Sequence, residues 1–452
     1  MKIALALVAA LASALPAQVP SDSAILSILR PRVDAGMWAG IAVGIVDRNG
    51  VRRTLAYGPN AGVAPFDDRT VFEIGSITKT FTTAILADMV RKGEVSLDDP
   101  VAKFLPPGTV VPSRDGKQIT LIDLATQTSG LPRMPANFTP KNAANPYADY
   151  TPAQMYDFLK SYQLTRGIGE KYEYSNLGLG LLGHALALRA GTSYEALVTE
   201  RVLGPLEMDD TRIAMTGGMR TRLAPGHGPD GAVVANWDLQ TLDGAGALRS
   251  TVSDMLAFIG ANADSTSRPL GPTLAMTHGE RRPGGSPAVS LGLAWHRLRL
   301  PSGHVIVFHN GGTGGYRTFT GYSEKTGDGV VVLANTANSV DEIGFRLLAP
   351  GFPIPPVPKK RTEVSLSEAT LERYVGTFEL APTFTITITR EGAQLFLQAT
   401  GQPRFPLFAE KEDEFFLKVV DAQITFTTRG AGIVTGLVLH QNGMHQPAKK
   451  KP

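Results

Sequence analysis

The sequence lacks cysteine entirely, so disulfide bonds, a thiol nucleophile and a lipid-modified cysteine are excluded. It also lacks an excess of either charge. The 44 Lys and Arg residues against 41 Asp and Glu leave a formal net charge of +3, too little to indicate nucleic-acid binding. The eight histidines are scattered without a His-x-x-x-His pattern, so we predict neither a metal site nor any other cofactor. The 452 residues, 43% of them hydrophobic, suffice for a large core and for two or three domains.

Long apolar runs are absent beyond the N terminus. There, Lys2 is followed by an apolar run over residues 3–15 and then by small residues, which predicts a secretory signal peptide over residues 1–17. The run is too short to span a bilayer, and an uncleaved anchor is the alternative. Because export without cysteine fits a bacterial periplasm, we expect secretion across the inner membrane, a periplasmic location and no stable membrane span after signal cleavage. The oligomeric state is left open.

A Ser-x-x-Lys motif, Ser76 to Lys79, opens a predicted helix over residues 76–92 whose apolar residues recur at helical spacing. The serine then lies in the first turn, where free backbone amides and the positive end of the helix favour negative charge. The lysine lies one turn further along the same face. A partly buried amine so placed can lose its proton and deprotonate the serine. The motif alone is weak, since a capping serine followed by a surface lysine gives the same pattern.

A Tyr-x-Asn motif, Tyr174 to Asn176, stands in a loop just before a predicted helix over residues 176–190. A tyrosine between two ammonium groups has its pKa lowered and can shuttle protons to and from a serine. The asparagine can hold the lysine with its carbonyl and a substrate amide with its NH₂ group. Seen alone, the motif is also typical of a turn with a half-buried aromatic residue.

A glycine-rich segment at the end of a predicted strand contains His309, Gly311, Gly312 and Arg317. Glycines at such a place let the backbone approach a ligand closely. The backbone amide of Gly312, paired with that of Ser76, could form an oxyanion hole. An ordinary glycine-rich loop is the alternative interpretation.

In this order the motifs resemble those of the penicillin-recognising serine hydrolases, which include class C β-lactamases, DD-peptidases and related esterases. That family carries Ser-x-x-Lys, Tyr-x-Asn and then Lys-Thr-Gly or His-x-Gly, which are matched here by residues 76–79, 174–176 and 309–311. The flanking residues 124–132 and 244–250 match as well.

The resemblance implies an α+β fold of the β-lactamase/transpeptidase type, in which helices flank an antiparallel sheet beside a helical region. It implies that Ser76 is the acylated nucleophile and that Lys79 accepts its proton. It further implies that Tyr174 acts as acid and base and that Asn176 positions both the substrate and the lysine. The implied partner is a small molecule or a peptide derived from peptidoglycan.

The third motif assigns His309, Gly311 and Gly312 to substrate binding but departs from the usual pattern of β-lactamases. Histidine stands where those enzymes usually carry lysine. Because histidine is mostly neutral at pH 7, it lowers the tyrosine pKa less and binds a substrate carboxylate less well. Arg317 is the candidate to supply that charge instead.

Two further positions are distinctive. A literal Lys-Thr-Gly occurs at residues 325–327, but it lies between two predicted strands and is predicted to form a hairpin turn rather than part of the site. Gln127 stands where many relatives of this family carry histidine.

Strands are predicted at both ends of residues 21–348, the part of the chain that the resemblance covers. A hairpin is predicted over residues 41–57 because Asn-Gly separates two apolar runs. Helices are predicted over residues 119–132 and 340–348, among others. We therefore expect one sheet assembled from distant parts of the chain, with a helical segment packed beside it.

The predicted domain organisation follows from composition. Residues 18–348 are predicted to form the serine hydrolase domain, and the proline-rich residues 349–365 a linker. Short alternating strands separated by Gly, Pro or charged residues predict a small antiparallel β domain over residues 366–452. We expect a lipocalin-like barrel, with a sandwich as the alternative.

Three functions are consistent with these motifs. The first is a serine hydrolase that cleaves β-lactams or D-Ala-D-Ala peptides through an acyl-enzyme on Ser76. The second is a short-chain carboxylesterase with the same machinery, which the histidine at position 309 favours because esters need no carboxylate anchor. The third is a sensor that binds peptidoglycan or penicillin without hydrolysis.

Overall fold

The computed structural model describes residues 19–58, 66–266, 268–357, 361–382, 384–418, 420, 422–430, 432–441 and 444–451. The chain forms two compact units, the first ending at Pro356 and the second beginning at Val357. The signal peptide predicted over residues 1–17 lies outside the described residues, and the predicted domain limits stay predictions. No helix among the described residues is long and apolar enough to cross a membrane.

The first unit is built on one large antiparallel sheet and two short strand pairs. The strands of this unit are β1 Ile41–Val46, β2 Arg52–Tyr57, β3 Phe72–Glu73, β4 Ser113–Arg114, β5 Lys117–Gln118, β6 Arg249–Ser250, β7 Arg282–Pro283, β8 Val289–Leu291, β9 His296–Arg299, β10 Val305–Gly312, β11 Arg317–Ser323 and β12 Gly329–Ala334. Eight of them form the sheet in the order β2-β1-β12-β11-β10-β9-β8-β7. Because β1 pairs directly with β12, the prediction of a sheet assembled from both ends of the domain is confirmed.

Helices cover both faces of this sheet. They are α1 Asp22–Asp34, α2 Thr78–Arg91, α3 Leu121–Ala125, α4 Pro152–Ser161, α5 Asn176–Ala190, α6 Tyr194–Val198, α7 Gly217–Thr221, α8 Asp243–Gly246, α9 Val252–Ala263, α10 Gly271–His278 and α11 Asp341–Leu348. Alternate residues of β1 enter two different cores: Val43 packs with residues of α1 and α11, and Ala42 packs with residues of α2 and α9. A central strand buried on both faces explains its continuous apolar sequence.

The serine-bearing segment differs slightly from its prediction. The helix predicted over residues 76–92 begins with a short 3₁₀ turn, Gly75–Ile77, and becomes α-helical only from Thr78. It ends at Arg91, and Gly93 adopts a φ of 72°, which few residues other than glycine tolerate.

The helix predicted over residues 119–132 is wrong for its second half. Only α3 forms, and a capping box between Thr120 and Asp123 starts it. The chain leaves the helix because Gln127 adopts a φ of 60° and its backbone carbonyl accepts a hydrogen bond from the amide of Glu173. A long-range contact thus overrides the local helical pattern.

The second unit is a closed antiparallel barrel, as predicted. Its elements are α12 Glu368–Glu372, β13 Gly376–Ala381, β14 Phe384–Glu391, β15 Gln394–Ala399, β16 Arg404–Ala409, β17 Glu414–Phe416, β18 Ala422–Arg429, β19 Ile433–Gln441 and β20 Met444–Lys450. Buried aromatic side chains, among them Tyr374, Phe378 and Phe426, form its core. Strands β13, β16 and β20 were not predicted, because polar or proline residues interrupt their alternation.

The close packing of β10 against the serine-bearing segment gives a stability prediction. A Cβ at Gly311 would lie 2.1 Å from the carbonyl oxygen of Ile74 and 2.4 Å from Oγ1 of Thr318. We expect Gly311→Ala to lower the free energy of unfolding by about 1–3 kcal/mol, measured by urea denaturation. Gly217→Ala is the control, because a Cβ there meets no atom within 4 Å. Equal midpoints for the two variants would contradict this account of the packing.

Candidate active site

Ser76 is held where two glycine backbones meet. Gly75 has a φ of 51°, and a Cβ on it would lie 2.7 Å from the amide nitrogen of Gly312. The absence of side chains at both positions therefore lets the serine-bearing turn touch the end of β10. Ser76 itself is partly exposed, so its hydroxyl is open to a ligand.

Lys79 lies beneath Ser76 and is completely buried. Its Nζ lies 2.9 Å from Oγ of Ser76, 2.9 Å from Oδ1 of Asn176 and 2.6 Å from the carbonyl oxygen of Ala245. The last two neighbours can only accept hydrogen bonds. A neutral amine that donates its two hydrogens to them turns its lone pair toward the serine hydroxyl.

The electrostatics favour that neutral amine. Burial lowers the pKa of Lys79 well below its ordinary value, and the charge of Arg133 lowers it further. An ammonium at this position would be desolvated without a carboxylate partner among the described residues. The arrangement can therefore remove a proton from Ser76.

Tyr174 lies over the same lysine. Its ring centre is 4.8 Å from Nζ of Lys79 and 5.1 Å from the guanidinium carbon of Arg133. Burial raises the pKa of its phenol, and a hydrogen bond with Ser76 opposes that rise. The predicted lowering of this pKa by two ammonium groups is therefore wrong, because the lysine favours its neutral form and desolvation dominates.

Asn176 is the first residue of α5, and Ser175 caps that helix by accepting a hydrogen bond from the amide of Gly178 at 2.8 Å. The cap fixes the start of the helix and so places the Asn176 side chain toward Lys79. Its Nδ2 lies 3.8 Å from the sulfur of Met134, a weak acceptor. The Asn176 side chain also forms a hydrogen bond with Tyr147 in the cleft wall, so its NH₂ group lies where it can meet a ligand.

His309 is fully buried and lies beside the Tyr174 ring, with 6.4 Å between the two ring centres. Its Nδ1 lies 2.6 Å from the carbonyl oxygen of Asn310, so this nitrogen carries the hydrogen and donates it. Burial lowers the pKa of His309 well below its ordinary value, and His296 and Lys79 add to that effect. The histidine is neutral and inaccessible, so it offers no positive charge to a ligand.

The other predicted residues of the third motif lie in different environments. Gly312 is exposed and lines the cleft beside Ser76, whereas Gly311 is buried against the backbone of Ile74. Arg317 is partly buried, and its Nη1 donates hydrogen bonds to the carbonyl oxygens of Thr313 and Tyr316. Much of its donor capacity therefore serves the loop that it belongs to.

The cleft above Ser76 has a volume of about 240 Å³, open solvent included. Aromatic and apolar residues form its walls: Tyr147, Trp237 and Leu239, which no sequence motif includes, and Ala245 of the matching residues 244–250. The backbone of Trp237 is tied to a buried ion pair, in which Arg249 lies 3.3 Å from Glu73. The pairing of Glu73 with Arg249 in β3 and β6 was not visible as a motif.

Gln127 braces the Tyr174 segment from below. Its Oε1 accepts a hydrogen bond from the amide of Ser175 at 2.7 Å, and its backbone carbonyl accepts one from Glu173 at 2.9 Å. This residue is buried, and its unusual φ turns the side chain toward the loop. The glutamine thus has a positioning role that the sequence did not reveal.

The literal Lys-Thr-Gly is not in this site. Residues 325–327 form the turn between β11 and β12, where the amide of Gly327 donates to the carbonyl of Ser323 at 2.8 Å. The prediction of a hairpin turn there is confirmed.

The fold and these side chains define a class of protein. The sequence model of the Beta-lactamase family matches residues 27–349, and that of a domain of unknown function, DUF3471, matches residues 360–450. The chain belongs to the β-lactamase family, so the predicted resemblance and the prediction of a serine hydrolase are confirmed.

The chain is also similar in sequence to individual members of this family. It is 32% identical over 313 residues to the D-alanyl-D-alanine-carboxypeptidase/endopeptidase AmpH of Escherichia coli K12, spanning 65% of this chain and 78% of AmpH. It is 24% identical over 426 residues to penicillin-binding protein 4* of Bacillus subtilis 168, spanning 85% of this chain and 88% of that protein.

Solved structures support the same fold. The chain is similar to a β-lactamase/D-alanine carboxypeptidase from Yersinia pestis complexed with citrate, with a TM-score of 0.61 and 26% identity over 70% of this chain and 93% of that one. It also matches a class C β-lactamase with a TM-score of 0.62 and 22% identity, over 74% of this chain and 97% of the other. The predicted β-lactamase/transpeptidase-like fold is confirmed.

Gln127→Ala tests the bracing of the Tyr174 loop. The variant leaves the buried amide of Ser175 without its acceptor, so we expect the free energy of unfolding to fall by about 1–3 kcal/mol. Chemical denaturation measures this change. Gln118→Ala, at an exposed position, is the control and should stay within about 0.5 kcal/mol of the wild type. Equal effects of both substitutions would remove the bracing role.

Proposed function

We propose that this protein hydrolyses β-lactams or D-Ala-D-Ala-type peptides through an acyl-enzyme on Ser76. The observation that carries this proposal is the environment of the Lys79 amine. Two of its neighbours accept its hydrogens, which leaves the lone pair for the proton of the serine hydroxyl. The neutral state follows from burial, so the base is ready before a substrate arrives.

In the proposed acylation, the proton of Ser76 moves to Lys79 while Oγ attacks the substrate carbonyl carbon. The negative charge that develops on the carbonyl oxygen is stabilised by the backbone amides of Ser76 and Gly312, which lie together at the cleft. The leaving nitrogen takes the phenolic proton of Tyr174, and the phenolate recovers a proton from the lysinium. Asn176 holds the amine and can donate its NH₂ to the acyl side of the substrate.

Deacylation reverses these roles. Water attacks the acyl carbon and gives its proton to the base formed by Tyr174 and Lys79, and the breaking ester bond returns the proton to Ser76. The raised pKa of Tyr174 suits this role, because the phenol stays protonated at neutral pH and can act as the acid in the first half-reaction.

The relatives support the substrate class. AmpH is named for carboxypeptidase and endopeptidase activity on D-alanyl-D-alanine, and the similar Yersinia protein is titled a β-lactamase/D-alanine carboxypeptidase. The periplasmic location remains a proposal, because the predicted signal peptide lies outside the described residues.

A short-chain esterase activity is the second candidate. The buried, neutral His309 favours it, because the third motif then supplies no cation for the carboxylate that β-lactams and D-Ala-D-Ala peptides carry. The same residues would act on an ester, whose leaving alcohol needs less help from an acid than an amine does.

Labelling with a fluorescent penicillin tests the acyl-enzyme. We expect the wild type to be labelled with one adduct on the peptide that contains Ser76, located by mass spectrometry, and Ser76→Ala to lose labelling by at least about 100-fold. Ser113→Ala, at an exposed serine, is the control and should label normally. Undiminished labelling of Ser76→Ala would exclude Ser76 as the nucleophile.

Turnover of nitrocefin and of p-nitrophenyl butyrate separates the two candidates. Hydrolysis of both, lost in Ser76→Ala, supports the main proposal. Hydrolysis of the ester alone supports the esterase, and a stable adduct without turnover supports a sensor.

The pH dependence of acylation tests the neutral lysine. Because Lys79 must be deprotonated to act, the rate should rise with pH and level off well below the ordinary lysine pKa of about 10.4. Because burial raises the pKa of Tyr174, the rate should not fall again before about pH 10. Single-turnover kinetics with the fluorescent penicillin measures both limbs. A rate that climbs steadily to pH 10 would show that the lysine is charged at neutral pH.

A further inference from the structure

Arg133 lies beside Tyr174 and takes no direct part in the proton transfers above. Its backbone carbonyl accepts hydrogen bonds from the amides of Asn176 at 3.0 Å and Leu177 at 3.3 Å. These bonds fix its backbone to the start of α5. Its side chain is exposed, and the guanidinium carbon lies 5.1 Å from the ring centre of Tyr174. A charged, exposed group is thus fixed by its backbone next to the candidate acid and base Tyr174.

The positive charge of Arg133 reaches into the site. Burial raises the pKa values of Tyr147, Tyr172 and Tyr174, and the charge of Arg133 opposes this rise in all three. Tyr147 lines the cleft above Ser76. The charge of the guanidinium therefore acts on a residue in the wall of that cleft.

Among the described residues, no acidic side chain neutralises this guanidinium. Within the described part of the chain, no carboxylate forms an ion pair with Arg133. Glu173, which directly precedes Tyr174, pairs with Arg166 at 2.5 Å instead. An exposed arginine beside Tyr174 that has no carboxylate partner is suited to bind the planar carboxylate of a ligand.

The other candidates for this task are less suited. His309 is neutral and has no exposed surface. Arg317 already donates its Nη1 to two backbone carbonyls and is partly buried. In β-lactamases the lysine of the third motif usually supplies this positive charge. In this protein Arg133, next to Tyr174, carries a positive charge that is available to a ligand.

We propose that Arg133 binds a carboxylate of the substrate and thereby selects acidic substrates over neutral esters. This inference rests on the proposed function and specifies its substrate class. The carboxylate can belong to a peptide C terminus or to a β-lactam, since both present the same planar anion.

Matched substrates that differ only in that charge test the proposal. One pair is a D-alanyl thioester of thioglycolate and the same thioester of methyl thioglycolate. The other is benzylpenicillin and its methyl ester. With Arg133→Met, we expect kcat/KM or the acylation rate for the acids to fall about 10-fold to 100-fold, mainly through KM, and to change less than about twofold for the neutral partners. If Arg133→Met slows the acid of only one pair, that pair shows whether the bound carboxylate is that of a peptide-like substrate or that of a β-lactam.

Three further arginine variants complete the design. Arg133→Lys keeps a charge without the planar fork and should recover part of the preference for acids. Arg220→Met, at an exposed position, should match the wild type on every substrate. If Arg317→Met abolishes the preference for acids and Arg133→Met does not, the proposal is overturned.

A binding measurement separates failure of this inference from failure of the proposed function. Calorimetry with Ser76→Ala protein compares N-acetyl-D-Ala-D-Ala with its C-terminal amide, so it needs no turnover. We expect the acid to bind at least about tenfold tighter, and Arg133→Met in the same background to remove that difference. Equal binding of acid and amide would overturn the role of Arg133 even if penicillin labels Ser76. If penicillin does not label Ser76 but the acid still binds more tightly than the amide, only the proposed acyl-enzyme hydrolysis is overturned.

The pH profile excludes an indirect role. If Arg133 acted only through its charge on Lys79 and Tyr174, Arg133→Met would shift the limbs of the pH–rate profile and slow acids and neutral substrates equally. A larger loss for the acids than for their neutral partners, measured on the plateau of the profile, is the expected result.

Discussion

The burial of one amine determines the character of the candidate site. Nζ of Lys79 is enclosed by oxygens from three separate elements, namely Ser76, Asn176 and Ala245. Taking an ammonium out of water without a counter-ion costs several kcal/mol, so the fold favours the neutral form. Three parts of the first unit form this enclosure: the 3₁₀ turn Gly75–Ile77 with the start of α2 spaces the lysine from the serine, α5 presents the asparagine, and α8 supplies the carbonyl.

Much of this architecture could be predicted from local patterns. The hairpin at β1 and β2, the helix α5 and the strands β10 to β12 follow from turn residues and periodicity that agree with the final fold. The barrel was predictable as a type, although its polar strand β20 was not. The motifs also named the residues that meet around Lys79, because spacing within a helix fixes Ser76 and Lys79 relative to each other.

Features that depend on tertiary contacts could not be predicted. Gln127 leaves the helical pattern because a distant loop binds its backbone and side chain. The direction of the Tyr174 pKa depends on how deeply the phenol is desolvated, which no motif encodes. No sequence pattern indicates Arg133, because an exposed arginine in a loop belongs to no motif. Its meaning appears only when the ring of Tyr174 lies beside it.

The residues that contact the serine-bearing segment are far from it in sequence, and this separation has a consequence for the unfolded and partly folded chain. The carbonyl of Ile74 accepts a hydrogen bond from Thr318, 244 residues away, and Lys79 reaches Ala245 across 166 residues. Before these contacts form, the amine is hydrated and protonated, and the hydroxyl next to it is an ordinary alcohol. Reactivity is therefore a product of complete folding, and a nascent or partly assembled chain is chemically latent toward the bonds that the mature protein is proposed to cleave.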